Sequence, residues 1–414
     1  MAPARPVEAG VAQQPTSGRP PRLRLHRTGF YELHTDVSEL EAREAAVRMD
    51  AIAGELMRMT QHLNKKPPPF MPFHLYRRIE DYEAAGGTPG SGGQYNRRSG
   101  TLMAVAGQRL DERTWHRVQH EAFHQFAHHT LGSELPPWLN EGLAEYFAEF
   151  VFTGDAFVGG LVPPHRRDRI VASLEAGSFV PLDRMFALTH DQWNQHLARD
   201  NYDQAWSLVV FLMHGDDGRY RERFEQFLVL CSQGRGFQQA WRATFGNIDG
   251  LERAWARWWT NLPAEPTAHG YRLATARTLS SFWARAVAQG QTIRDFDDFV
   301  RLGRSGQLAF DDRQWLPPSL LERALEEADA LAEAGGDWSI RRVGQSAPIP
   351  GRPGIAARPR GMAGTFQELV LLMPDGYAFR GRFQAERRQV TAVVVAVERL
   401  PEDLLDDFNN LLDR

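Results

Sequence analysis

HEAFHQFAHHTLGSELPPWLNEGLAEYF, residues 120–147, carries four histidines, four glutamates and no cysteine. Two readings compete for it. The side chains coordinate a metal, or the stretch is a His-rich amphipathic surface helix. His120, Glu121 and His124 form the pattern H-E-x-x-H. On a helix, positions four apart lie on one face, so both imidazoles can reach one cation. Zinc accepts neutral imidazole nitrogen and carboxylate oxygen, and a catalytic site keeps three protein ligands and one open position. Glu121, between the two imidazoles, is then placed to serve as general base toward a water activated by the metal.

A third ligand is needed. His128 lies about 12 Å from His120 along the axis, at ~1.5 Å per residue. Bonds of ~2 Å do not let one ion be shared over that span. His129 points to another side. The longer pattern HExxHxxGxxH is not met, because Ala127 and Thr130 stand at its Gly and His positions. Glu141 fits better. It lies 17 positions beyond His124, after Pro136 and Pro137, which let a second helix fold back on the first. Glu145, one turn later, either orients a ligand imidazole through its outer nitrogen or is a solvated helix glutamate.

Working outward, Asp111 is an N-cap candidate for the first helix, with Glu112 in the first turn. Trp115, Val118, Ala122 and Phe126 give that helix an apolar stripe. Upstream, GFYELHTD (29–36) reads as a strand and residues 38–63 as one long amphipathic helix, with Leu40, Ala45, Val47, Ile52, Leu56 and Met59 as its apolar positions. FMPFHLYRR (70–78) and SGTLMAVAG (99–107) read as further strands, with a glycine-rich loop at 84–93 between them. Downstream, helices are predicted over 138–150, 167–176, 203–214, 219–231 and 249–260. Strands with one helix, then mostly helices, make an α+β arrangement rather than alternating βαβ units.

At 414 residues the chain predicts two domains or more. Residues 1–24 read as a flexible leader, 25–262 as the domain carrying the motif, and 263–414 as a smaller α+β accessory domain. The accessory part predicts two or three helices, a loop over 346–361, a hairpin turning at Pro374-Asp375-Gly376, a strand over 390–398 and a closing helix over 401–414. Its residues show no constellation that suggests chemistry.

The composition, 42% hydrophobic and 24% charged, is that of a folded chain. A net charge of −4 gives no basic field for nucleic acid. No apolar run is long enough to span a membrane. Cys231 is the single cysteine, which rules out an intrachain disulfide and leaves any metal to His and carboxylate ligands. It reads as a packed helical thiol. The first 27 residues carry no apolar signal core, and the compartment, cytoplasmic or exported, is left open, as is the oligomeric state.

HEAFH followed by WLNEGLAEYF resembles the gluzincin zinc metallopeptidases, whose ligand set is His-His-Glu. It is similar to aminopeptidase N-type enzymes and closer still to the peptidase-MA-like domain of bacterial proteins, over roughly residues 25–260. The resemblance implies a thermolysin-like catalytic domain, with a small N-terminal sheet and a helical part carrying the metal helix. It implies one Zn2+ held by His120, His124 and Glu141, Glu121 as base, and a peptide or protein substrate. It also implies an oxyanion-stabilising tyrosine about sixty positions after the ligand glutamate. Tyr202 stands 61 positions on, in NYDQAWSLVVFL, and His214 is the other donor on that helix. Two departures matter. Y-D-Q-A replaces Y-x-K-G, and the G-A-M-E-N element that grips a substrate's free amine is replaced by SGTLMAVAG, which has no glutamate. The latter leaves a strand able to pair with an extended peptide.

The leading expectation is thus a zinc peptidase. A metal-bound peptide- or glycan-binding module without turnover is the alternative from another class, and a zinc hydrolase of some other amide or ester is a third.

Overall fold

The computed structural model describes residues 22–63, 65–132, 135–195, 199–246, 248–343 and 366–399. The strands are β1 (Arg24–Arg27), β2 (Tyr31–Thr35), β3 (Met71–Tyr76), β4 (Gly93–Asn96), β5 (Thr101–Val105), β6 (Val151–Phe152), β7 (Phe157–Val158), β8 (Asp337–Val343), β9 (Phe366–Leu372), β10 (Tyr377–Glu386) and β11 (Gln389–Arg399). The helices are α1 (Glu39–Met59), α2 (Ile79–Ala84), α3 (Glu112–Thr130), α4 (Pro137–Ala148), α5 (Pro164–Glu175), α6 (Leu182–Ala187), α7 (His190–Gln195), α8 (Arg199–Gly218), α9 (Arg221–Ser232), α10 (Phe237–Thr244), α11 (Ile248–Asn261), α12 (Ala268–Ala288), α13 (Phe296–Arg304) and α14 (Pro318–Glu333). Strands gather near the two ends of the described chain and helices between them, an α+β fold.

The first sheet runs β1-β2-β3-β5-β4, with β2, β3 and β5 parallel and the outer pairs antiparallel. Period-2 alternation aligns Tyr31, Leu33, Met71, Phe73, Leu75, Leu102 and Ala104 on one buried face. That face joins Ala45, Met49 and Ile52 of α1 and Trp115, Val118 and Ala122 of α3 in the main core. Helix α1 starts at a capping box between Ser38 and Glu41, a device worth about 1 kcal/mol. It ends at Met59, and Leu40, counted above among its apolar positions, is exposed.

Three sequence expectations need correction here. The stretch 84–93 is not all loop: α2 ends in it at Ala84 and β4 begins at its last residue, Gly93. SGTLMAVAG contributes β5, which lies inside the sheet, so it has no edge to offer a peptide. The edge is β4. Helices α6, α7 and α10 and the β6–β7 hairpin were also not anticipated; each is eight residues or shorter, too brief for a clear period. Of the leader, residues 1–21 fall outside the described residues and Arg24 belongs to β1; the loop over 346–361 and the closing helix over 401–414 fall outside them entirely.

The second sheet, β11-β10-β9-β8, is antiparallel, and its β9–β10 hairpin turns at Pro374-Asp375-Gly376. Helix α12 crosses it so closely that a Cβ at Gly381 would sit 1.9 Å from Ser280 Oγ. The other side of α12 meets β6–β7 and α14, which buries nearly every position from Ala274 to Ala286. Its buried Thr278 and Ser280 hydroxyls bond the Ala274 and Ala276 carbonyls at 2.9 and 2.7 Å, so neither hydroxyl is left unpaired. Side chains bridge the position near 263. Arg285 pairs with Asp155 at 2.6 Å, Ser319 with Glu44 at 2.9 Å, and Arg323 with Glu112 at 2.6 Å. Among the described residues no helix is long and apolar enough to cross a membrane. Cys231 is buried in α9, and burial pushes its thiol up to about 11, an inert setting.

Candidate metal centre

Helix α3 begins at Asp111, whose carboxylate accepts from the Thr114 backbone N–H at 2.8 Å. Its stripe of Trp115, Val118, Ala122 and Phe126 is buried, which fixes the rotation of the helix about its axis. Gln125 reinforces this by donating to the Pro72 and Gly100 carbonyls at 3.0 and 2.9 Å. The same rotation leaves His120, Glu121 and His124 half-buried, with the two imidazoles toward Glu141 of α4 and the Glu121 carboxylate toward β4.

Helix α4 begins at Pro137, whose missing N–H costs nothing in a first turn. Phe123 and Phe147 stack with ring centroids 5.1 Å apart and hold α4 on α3. On its other side α4 meets α8 at Gly142, where an added Cβ would lie 2.6 Å from the Ala205 carbonyl oxygen. The glycine beside Glu141 is therefore a contact between helices. Gly142→Ala is expected to force α8 away from α4 and cost about 1–3 kcal/mol, read as a fall in denaturant midpoint with unchanged m.

His120, His124 and Glu141 converge. His120 Nε2 lies 3.0 Å from His124 Nε2, and the Glu141 Oε2 oxygen lies 3.3 Å from the first and 3.4 Å from the second. A four-coordinate ion bound at ~2.0–2.1 Å sets its ligand atoms ~3.3 Å apart, the edge of the tetrahedron. The three atoms thus form one face of such a polyhedron and could hold a metal ion. The hydrogen bonds agree. His120 Nδ1 meets Glu145 Oε1 at 3.1 Å. A proton on that nitrogen leaves the Nε2 lone pair facing the cluster. Asn140 Nδ2 donates to the outer Glu141 oxygen at 3.2 Å.

Electrostatics points the same way. Burial opposes charge on His120, but its bonds to Glu141 and Glu145 prevail and hold its pKa well above the usual value. Burial likewise opposes charge on Glu141, and His124 and His120 prevail, holding the carboxyl far below the usual range. Glu145 is held at about 2, against burial, chiefly by His120. A pocket that favours a protonated imidazole and ionised carboxylates together is one that favours a cation.

Residues 115–235 match the family described as "Protein of unknown function (DUF1570)". No curated protein and no solved structure matches the chain. The matched span runs from Trp115 on α3 to Arg235 just beyond α9. It contains His120, Glu121, His124, Glu141, Glu145 and Tyr202, and neither of the two larger sheets.

The remaining sequence candidates are placed as follows. Glu121 accepts from the Tyr95 backbone N–H at 2.6 Å, so β4 lies directly against the site. Tyr202, half-buried in the first turn of α8, packs edge-on against Trp193 with ring centroids 5.7 Å apart. Burial and then the charges of Glu141, Glu145 and Glu121 raise its phenol to about 12, which keeps it protonated at neutral pH. His214 is elsewhere: its Nε2 meets the Tyr146 hydroxyl at 2.9 Å, and burial with Arg221 nearby pushes it down to about 4. His128 takes the Tyr95 hydroxyl at 2.6 Å and is no part of the ligand set.

Sequence reading missed Tyr95, Asn140, His116, Glu149, Arg166 and Asp203. Asn140 adjoins a ligand, His116 lies one turn before His120 and Glu149 one turn after Glu145, so these three were within reach; Tyr95, Arg166 and Asp203 come from segments that only the fold brings near. His116, Glu145 and Glu149 form a second group of metal-ligand type. Arg166 Nη1 already lies 2.7 Å from both of its carboxylates, so a guanidinium supplies the positive charge there.

Proposed function

We propose that the chain is a zinc-dependent metallohydrolase of the gluzincin type, most simply a peptidase with a thermolysin-like catalytic domain. The observation that carries this reading is the tetrahedral face made by His120 Nε2, His124 Nε2 and Glu141 Oε2, with 3.0–3.4 Å edges and Glu121 on the intervening turn. The nitrogen-nitrogen-oxygen donor set suits zinc. Bound there, zinc would supply a water acidic enough to act as nucleophile at neutral pH and would polarise a carbonyl.

The chain's own residues do the rest. Glu121 takes the proton from the attacking water and passes it to the departing amine nitrogen. The Tyr202 hydroxyl, protonated at working pH, donates to the negative charge that develops on the substrate carbonyl oxygen. Glu145 holds His120 by its Nδ1 and so aims Nε2. The outer edge of β4, whose Tyr95 N–H already meets Glu121, offers its remaining backbone groups to an extended peptide. A general base kept beside the ligands favours turnover over a metal-bound binding module, which has no use for a proton acceptor.

The test is an unbiased peptide-cleavage screen on the purified full chain with and without a chelator. Cleavage that chelation abolishes and added zinc restores is expected. Full metal occupancy with no cleavage of any peptide favours the binding module, and cleavage only of other amides or esters favours the broader hydrolase.

A further inference from the structure

Three carboxylates stand behind the ligand cluster, and one cation meets all of them. Arg166, in the first turn of α5, is 4% exposed. Its Nη1 donates to Glu145 Oε2 and Glu149 Oε1, each at 2.7 Å. Its Nε forms an ion pair with Asp203 Oδ1 at 2.8 Å. Its guanidinium carbon lies 4.2 Å over the Trp206 ring. The guanidinium is thus held by three carboxylates through two of its nitrogens and by an aromatic ring on one face, a geometry that a lysine ammonium does not reproduce.

Two functional elements end on this fork. Glu145 divides its oxygens, Oε1 to His120 and Oε2 to Arg166, so the guanidinium sets the rotamer from which the carboxylate aims His120. Asp203 follows Tyr202 in α8 and is 3% exposed. Arg169 also holds it, through Nε at 2.5 Å and Nη2 at 3.1 Å.

We propose that Arg166 is a positioning residue of the metal site: it fixes the Glu145 carboxylate that orients His120 and, through Asp203, the helical turn that presents Tyr202. This rests on the metallohydrolase reading. A merely structural arginine would neutralise buried charge and leave the metal geometry alone.

Metal affinity by chelator competition and the visible spectrum of the cobalt(II)-loaded chain separate the two. Both are measured on wild type, Arg166→Met and Arg166→Lys, beside thermal unfolding of the metal-free proteins. Arg166→Met is expected to weaken metal binding by about 10- to 100-fold and to shift the cobalt bands. Arg166→Lys, which restores charge without the fork, is expected to recover part of both. Wild-type affinity and spectrum in Arg166→Met overturn the proposal, as does a loss that only tracks unfolding with no recovery in Arg166→Lys. If Arg166→Met does not fold, a folded Arg166→Lys decides: weakened binding supports the role and wild-type binding overturns it. Wild type without metal defeats the metallohydrolase reading, and this role falls with it.

Discussion

Glu121→Gln is expected to keep one metal ion per chain while lowering kcat for peptide hydrolysis by about 100- to 10,000-fold, the usual contribution of a positioned general base. The change is nearly isosteric. The amide oxygen of Gln can still accept the Tyr95 N–H that now meets Glu121 at 2.6 Å, so β4 stays on α3. Glu and Gln have similar helix propensity, so α3 is not weakened. What the variant lacks is a group that takes up a proton. Steady-state rates beside metal analysis read the two effects separately. Undiminished cleavage would remove Glu121 from the mechanism, and loss of metal would make it a structural residue.

Glu141→Gln should do the opposite. A neutral amide is a poor ligand, and Oε2 of Glu141 supplies the third corner of the cluster, 3.3 and 3.4 Å from the two imidazole nitrogens. Metal affinity is expected to fall more than about 100-fold, beyond what changes outside the ligand set produce. The fold should survive, since Gly142 and the Phe123–Phe147 stack, not the carboxylate, set the place of α4. Calorimetric titration with zinc and circular dichroism measure both. Unchanged affinity in a folded variant would take Glu141 out of the ligand set.

Much of the cluster was legible because its residues are close in sequence. His120 and His124 share a helical face by spacing alone, and the Pro136-Pro137 break announces a second helix that can return. Glu145 was readable as an orienting group because one turn separates it from Glu141. The α+β class followed from long, strongly periodic segments such as α1 and α3. What stayed hidden is non-local. Nothing in PHRRDR marks Arg166 as the buried cation behind Glu145, and Asp203 reaches it only because α8 packs on α5. The edge position of β4 depends on sheet order: β5 has the stronger strand composition, yet β4, four residues beginning at a glycine, takes the outside. Leu40 is exposed because periodicity predicts a face and not its extent.

Anomalous diffraction at the zinc edge, on crystals of the full chain grown with zinc and no chelator, addresses the proposed site most directly. One peak is expected within bonding distance, about 2.0–2.2 Å, of His120 Nε2, His124 Nε2 and a Glu141 carboxylate oxygen. No peak there, or a Glu141 carboxylate turned away from the imidazole pair, would contradict it.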